Sequence, residues 1–405
     1  MFQTFTPREY LKIDIANNFG LDKDDWDQRI AWFDQHESQL RELVASADEP
    51  ALFFAGVLAW ENVLAGKPIG YMVSLDATSS GLQLLAALTG DRKAATLCNV
   101  IDAGHRADAY TGIYAEMVGE MGETAKITRD QCKEGIMTSL YGSTAMPKKI
   151  FGEGALLDMF YKTMRENAPA AWELNEAFLA VWDPTVDMHS WVLPDNFHVH
   201  VKVMDQEKET VHFLNQPFDV FYNVNRPAES GRSLGANCIH SIDGMIVREL
   251  TRRCSYKPEI VNMLRVILDT SDGTSPLGDT MTQDDEMVCT LWDHYNDTGY
   301  LSARIIDHLN ADNIGYVDGS VIRELLDSLP EKPFKVVSIH DCFRCLPTYG
   351  NDLRRQYNIQ LQMIAQSNLL SVLLGQIIGK PGRVHIGKLD PDLHLEIIDT
   401  NYALS

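Results

Sequence analysis

Positive charge is what this chain has least of. Its 405 residues carry 35 lysines and arginines against 57 aspartates and glutamates, a formal net charge of −22. Neutralising phosphate needs lysine and arginine, so charge alone argues against a nucleic-acid binder. Cysteine is sparse too. Seven are scattered at 98, 132, 238, 254, 289, 342 and 345, an odd number that makes no disulfide framework and suits a reducing compartment. No apolar run approaches the length of a membrane span. The start, MFQTFTPREYLKID, has no apolar stretch behind a basic one, so no secretory signal is read there. Repeats, low-complexity tracts and flexible linkers are missing as well. These absences leave the expectation of a soluble cytoplasmic protein with no membrane partner.

What is present is apolar: 45% of the residues are hydrophobic, enough for a large core in two or three lobes. Charge is also unevenly placed. Residues 269–297 hold eight acids and no lysine or arginine, which reads as solvated surface. Residues 121–150 reverse the balance, with Lys126, Arg129, Lys133, Lys148 and Lys149 against Glu123, Asp130 and Glu134. One positive island in an acidic chain is a candidate for contact with an anionic substrate.

Hydrophobic spacing predicts helices over most of 8–70, then a break at GKPIG and a short buried strand in YMVSLD. A helix in SSGLQLLAALTGD closes at Gly90, and helical patterns resume over 92–120 and 126–140. Alternation over 189–224 predicts hairpins. Helices are expected over 243–266, 300–330 and 353–378, with a strand-turn-strand around SIHDCFRC (338–345). The mixture points to an α+β protein, mostly helical around a small sheet.

Three stretches hold the chemistry. Asp76 ends the apolar strand of YMVSLD; read plainly it caps the following helix, read functionally it displays a carboxylate at a sheet rim. Asp341 sits at the tip of SIHDCFRC, where a turn aspartate is commonplace. In TRDQCKEGIMTSLYGS (128–143), Arg129, Lys133 and Tyr141 fall on roughly one helical face beside Gly142. A guanidinium fork and an ammonium there suit a triphosphate, although a basic face can be merely solvated. Together, two strand-borne aspartates and a basic helix ending in Tyr-Gly are the equipment of two-metal nucleotidyl transfer. The Cys342-x-x-Cys345 pair raises a rival, but i and i+3 on a strand face opposite ways, a poor arrangement for a dithiol or for zinc.

The order DATSSGLQ, then R-x-x-x-K-x-x-x-x-x-x-x-Y-G, then HDCF resembles motifs A, B and C of the single-subunit DNA-dependent RNA polymerases of phages and mitochondria. REYLKIDIANNFGLDK resembles the helix leading into that family's palm. WVLPDNFHVH and CIHSIDG resemble the segments flanking its specificity loop, and LHLEIIDTNYALS resembles its carboxy-terminal foot. The resemblance implies a right-hand polymerase with palm and fingers around an antiparallel palm sheet. Palm would occupy 1–90 and 331–405, and fingers 91–330, with a specificity-loop-like hairpin at about 189–240. It implies two Mg²⁺ ions held by Asp76 and Asp341, with the Ala77 backbone carbonyl near one of them. Arg129 and Lys133 would contact the nucleotide's phosphates, Lys133 also serving as general acid for pyrophosphate. Tyr141, with His240, would sense the ribose 2′-hydroxyl, Tyr110 would lie near the sugar, and Gly142 would allow close approach. His340 would support the turn.

The rival within this architecture is a family A-type DNA polymerase, whose motif A carries a glutamate steric gate and whose motif C reads His-Asp-Glu. Here ATSSGLQ follows Asp76 and Cys342 follows Asp341, which favours RNA synthesis. A non-catalytic DNA-binding or scaffold subunit is the rival from another class. The family's promoter elements, thumb and early Gly-Arg palm motif are not found: the Gly-Arg pairs here, Gly231-Arg232 and Gly382-Arg383, fall elsewhere. That pattern resembles split, two-subunit phage RNA polymerases. The expected partners are a second subunit supplying the amino-terminal half and thumb, DNA template, RNA product, nucleoside triphosphates and an accessory DNA-binding protein, in the cytoplasm of an infected bacterium.

Overall fold

A computed structural model describes residues 1–122, 126–228, 233–270 and 281–405. Gly231-Arg232 and part of the acidic 269–297 run lie outside them. Among the described residues helices dominate, and seven strands form three separate antiparallel units.

The unit that organises the molecule has β1 (Val73–Asp76), β6 (Val337–Ile339) and β7 (Cys342–Cys345) in the order β1-β7-β6. Alternation sets its two faces. Val73, Leu75, Phe343 and Cys345 are buried, whereas Ser74, Asp76, Cys342 and Arg344 turn the other way. The buried face packs on the helix Gly350–Gln366, where Phe343 meets Tyr357 at 5.9 Å between ring centroids. Behind β1, the helix Pro7–Ala16 starts with a capping box, Thr6 with Glu9, and Pro7 at its first position. From it Asp14 reaches the sheet, accepting from the Ser74 N–H at 2.7 Å and from the Tyr71 hydroxyl at 2.6 Å.

The other two units are hairpins. β2 (Met188–Val192) pairs with β3 (His198–Lys202), and β4 (Met204–Phe213) pairs with β5 (Gln216–Asn225). The hairpins expected from the alternation over 189–224 are thus both β2–β3 and β4–β5. The β2–β3 connection is clamped by Asp195, fully buried, which takes Arg248 and Arg252 from the long helix Ser233–Cys254. A second apolar core, built on Leu264, Val288, Leu291, Ile305 and Ile322, gathers residues of 256–270 and 281–329 apart from the main one.

Several expected helices differ. The 353–378 helix is two, Gly350–Gln366 and Leu369–Ile377, because Asn368 donates its N–H to the Thr298 carbonyl at 2.7 Å and turns the chain. In 300–330 only Gly319–Asp327 is α-helical. Its earlier part, Ala303–Asp307, is a 3₁₀ turn, tied down where buried Glu249 accepts from Ser302 and from the Ala303 N–H. The helix Gln283–Thr298 was hidden within the acidic run. No described helix is long and apolar enough to cross a membrane.

Candidate functional site

The rim of the three-stranded sheet opens into a cleft of about 480 Å³. Register builds it. Asp76 pairs with Cys342, so Asp341, one residue earlier, stands beside Asp76 at the same end of the sheet. The Ala77 N–H donates to the Asp341 carbonyl at 3.1 Å, locking the two aspartates together through backbone. Asp76 is further fixed by reciprocal backbone bonds with Ser405, 3.2 and 2.9 Å. The β6–β7 turn is only His340 and Asp341, and His340 adopts φ +55°, the left-handed region a two-residue hairpin requires. His340 thus shapes the turn. Asp76 does not cap the next helix, whose N-cap position is Ser79.

The electrostatics of this rim are unfavourable as it stands. Burial, reinforced by the charges of Asp341 and Asp22, pushes the Asp76 carboxyl up to about 6. Asp243, unforeseen from sequence, is also pushed to about 6, by burial and then Asp341; Ser80 donates to it at 3.5 Å. Carboxylates crowded together in this way invite a cation. Two carboxylates and a nearby carbonyl are hard oxygen donors, and Mg²⁺ binds through one or two carboxylates while keeping water and substrate phosphate oxygens. Among the described residues no cluster of three His, Cys, Asp or Glu side chains forms a complete chelate. Such a donor set suits a divalent cation that is shared with a phosphate ligand.

Across the cleft runs the helix Arg129–Leu140, opened by a Thr128–Gln131 capping box. Its spacing brings Arg129, Lys133 and the C-cap Tyr141 onto the cleft wall with Asp76, Ala77, Tyr110 and Asp341. Arg129 is already engaged: its guanidinium pairs with Asp108 and donates to Thr111 at 2.7 Å. Burial raises the Asp108 carboxyl, but Thr111 and Arg129 outweigh it and hold the group below its ordinary range. The Lys133 ammonium lies 5.5 Å from the Tyr110 ring centroid, and the Tyr110 hydroxyl is 3.2 Å from that of Ser79. Of the basic island, Lys148 instead faces Glu153.

Tyr141 is seated by a missing side chain. A Cβ on Gly81 would stand 2.7 Å from the Tyr141 hydroxyl, so glycine there lets the ring lie over the start of the helix Ser80–Thr89. Burial raises the phenol to about 12, keeping it a hydrogen-bond donor at neutral pH. The His240 ring lies 4.7 Å from it, centroid to centroid. Gly142 follows with φ +84°, ending the helix sharply. Neither His240 nor Gly142 lines the cleft itself.

Sequence reasoning missed Asp22, Lys23, Arg106 and Arg344, which also line the cleft. Lys23 and Asp22 belong to GLDK, at the end of the stretch that resembles the family's helix leading into the palm. Arg344 could have been found from strand alternation, two residues past Cys342. Arg106 carries no local signal.

The family model described as DNA-dependent RNA polymerase matches residues 6–216, just over half of the chain. The chain belongs to the DNA-dependent RNA polymerase family. Among its relatives, a DNA-directed RNA polymerase of Pseudomonas phage phiKMV is 25% identical over 300 residues, covering 58% of this chain and 36% of the relative. A probable DNA-directed RNA polymerase of Neurospora crassa is 31% identical over 159 residues, 33% of this chain and 17% of the relative. The mitochondrial DNA-directed RNA polymerase of Schizosaccharomyces pombe is 31% identical over 167 residues, 33% and 14% respectively. This chain thus spans little more than a third of the phage relative and less than a fifth of the other two. The matched family region includes Asp76, Arg129, Lys133 and Tyr141 but ends before His240 and Asp341. What brings Asp341 to the site is its place in the sheet.

Proposed function

We propose that this chain carries the catalytic centre of a DNA-directed RNA polymerase of the phage and mitochondrial type, adding ribonucleotides to an RNA 3′ end on a DNA template. The observation that carries this reading is the register that sets Asp341 beside Asp76, facing Arg129, Lys133 and Tyr141 across one cleft. Two Mg²⁺ ions held by Asp76 and Asp341, with the Ala77 carbonyl, would supply activation of the 3′-hydroxyl and neutralisation of phosphate charge.

The remaining work falls to the chain's own side chains. Arg129 and Lys133 bind the triphosphate and stabilise charge as it develops on the leaving pyrophosphate. Lys133 is the group from which a proton passes to that pyrophosphate. The Asp108–Arg129 pair holds the guanidinium ready at the cleft wall before substrate arrives. Tyr141 covers the nucleotide and, with His240 beside it, reads the 2′-hydroxyl, while Tyr110 sits by the sugar. Residues 77–81 are Ala, Thr, Ser, Ser and Gly, none bulky enough to exclude a 2′-hydroxyl, and this supports RNA rather than DNA as product.

The palm would comprise 1–90 and 331–405 and the fingers 91–330. A thumb and upstream-DNA elements would come from a second polypeptide. Phe54, Leu58 and Leu64 on the helix Pro50–Leu64 are exposed apolar residues suited to such a contact. An accessory DNA-binding protein would help an acidic enzyme to its template, in the cytoplasm of an infected bacterium.

Asp76→Asn and Asp341→Asn test the reading. Each should lower Mg²⁺-dependent ribonucleotide addition on a primed template by several orders of magnitude, at about 1.4 kcal/mol per tenfold, with circular dichroism unchanged. Near-normal extension by either variant sinks the two-metal assignment.

A further inference from the structure

Arg344 is a cation that the proposed mechanism leaves unused. It lies on β7 opposite Ser74, on the strand face shared with Cys342 and, across the register, Asp76. Two residues of strand put it roughly 7 Å from Cys342, away from the aspartate rim and along the floor of the cleft. Its Nε is buried and has no hydrogen-bond partner. Asp14 feels its charge, but that carboxylate already accepts from Tyr71, Asn18 and the Ser74 N–H. Among the described residues Arg344 makes no ion pair, whereas Arg129, Arg248 and Arg252 each do. A part-desolvated guanidinium whose Nε is unpartnered, and whose neighbouring carboxylate is shared with three other donors, is a receptor for an anion.

The cleft has two sides, and they differ in what they can hold. Tyr110 and Tyr141 line the cleft on the side of the helix Arg129–Leu140, together with Arg129 and Lys133. Arg344 lies on the other side, over the sheet, with Ser74 and Tyr71. If the triphosphate occupies the helix side, in-line attack requires the 3′-hydroxyl to reach the aspartates from the sheet side. The strand carrying that hydroxyl must then run over the β1–β7 face. We propose that Arg344 binds a backbone phosphate of the product strand just behind its 3′ end, fixing the hydroxyl for attack. The proposal rests on the polymerase reading above and adds to it a site for the product strand.

The experiment uses the purified polymerase together with any polypeptide that co-purifies with it. Binding and extension of an RNA primer annealed to template DNA are measured for Arg344→Gln, Arg344→Lys and Asp76→Asn over a range of salt. Arg344→Gln should weaken hybrid binding roughly tenfold. It should also flatten the slope of log affinity against log salt by about 0.7–0.9, the signature of one lost phosphate contact, with KM for nucleoside triphosphate little changed. Arg344→Lys should keep the slope. An unchanged slope with a raised triphosphate KM would move Arg344 to the nucleotide side and overturn the proposal. An unchanged slope with a lowered melting temperature would make it a structural counter-charge for Asp14, which overturns it equally. If Asp76→Asn still extends the primer, the polymerase reading itself fails, whatever Arg344 does.

Discussion

The β1-β7-β6 sheet and the β4–β5 hairpin are built from the same local pattern, alternating residues in antiparallel pairs, yet they belong to different physical worlds. In the sheet, helices cover one face, so every second residue is buried and the others line a cleft. In the hairpin neither face is covered. Phe213, Phe218, Phe221 and Tyr222 remain exposed, Leu214 at its tip to 81%. Charges behave accordingly. The hairpin's cations are spent on its own carboxylates, Lys208 with Asp219 at 2.8 Å and Arg226 with Asp205 at 2.5 Å, in full solvent where such pairs contribute little. At the sheet, burial pushes Asp76 and, behind it, Asp14 up to about 6, and among the described residues the Arg344 Nε is buried with no hydrogen-bond partner. Strand pattern sets which residues share a face; the covering layer decides whether that face can do chemistry.

The sharpest way to break this contrast is Phe343→Ala. Phe343 is 1% exposed beneath the aspartates, and loss of its ring should cost about 3–5 kcal/mol. Denaturant melts showing a loss below about 1 kcal/mol would mean the sheet is not held by that layer.

A second test uses pH. The Asp14 carboxyl is pushed from 3.8 to about 6, chiefly by burial, against the hydrogen bonds from Ser74 and Tyr71. Between pH 4 and 6 the folded state keeps a proton that the unfolded state has lost. This group's contribution to stability is therefore greatest below pH 4 and falls as pH rises to 6, by roughly 3 kcal/mol. Asp76 and Asp243 shift the same way, so Asp14→Asn must be compared with wild type at each pH. The variant should gain relative stability between pH 4 and 7. A flat difference would show that Asp14 is not strained by its burial.

The smallest effect is expected at the hairpin. Replacing 206–223 with a short Asn-Gly turn should change the melting free energy by no more than about 0.5 kcal/mol, since its side chains are solvated. A large loss would mean that the hairpin supports the fold and that the contrast with the sheet is false.

Much of the site was legible because it is written in short-range periodicity. The apolar run before Asp76, the tip position of Asp341, and the one-turn spacing of Arg129 and Lys133 are local facts, and the structure keeps them. Gly90 and Gly142 end helices as their sequence positions imply, each with positive φ. Local reasoning failed where a distant partner decides. The Gly350–Gln366 helix stops because Asn368 finds the Thr298 carbonyl, and the Gln283–Thr298 helix buries only a narrow stripe, Val288 and Leu291 among its acids. The sequence by itself determined which residues carry charge and on which face of a strand or helix each one stands. Only the tertiary structure decided that β1 and β7 meet in the register that sets Asp341 beside Asp76, that Asp108 takes Arg129, and that among the described residues the Arg344 Nε is buried over the sheet without a hydrogen-bond partner. Backbone pairing between remote strands and the burial of single charges depend on what packs against them, and no run of neighbouring residues encodes that.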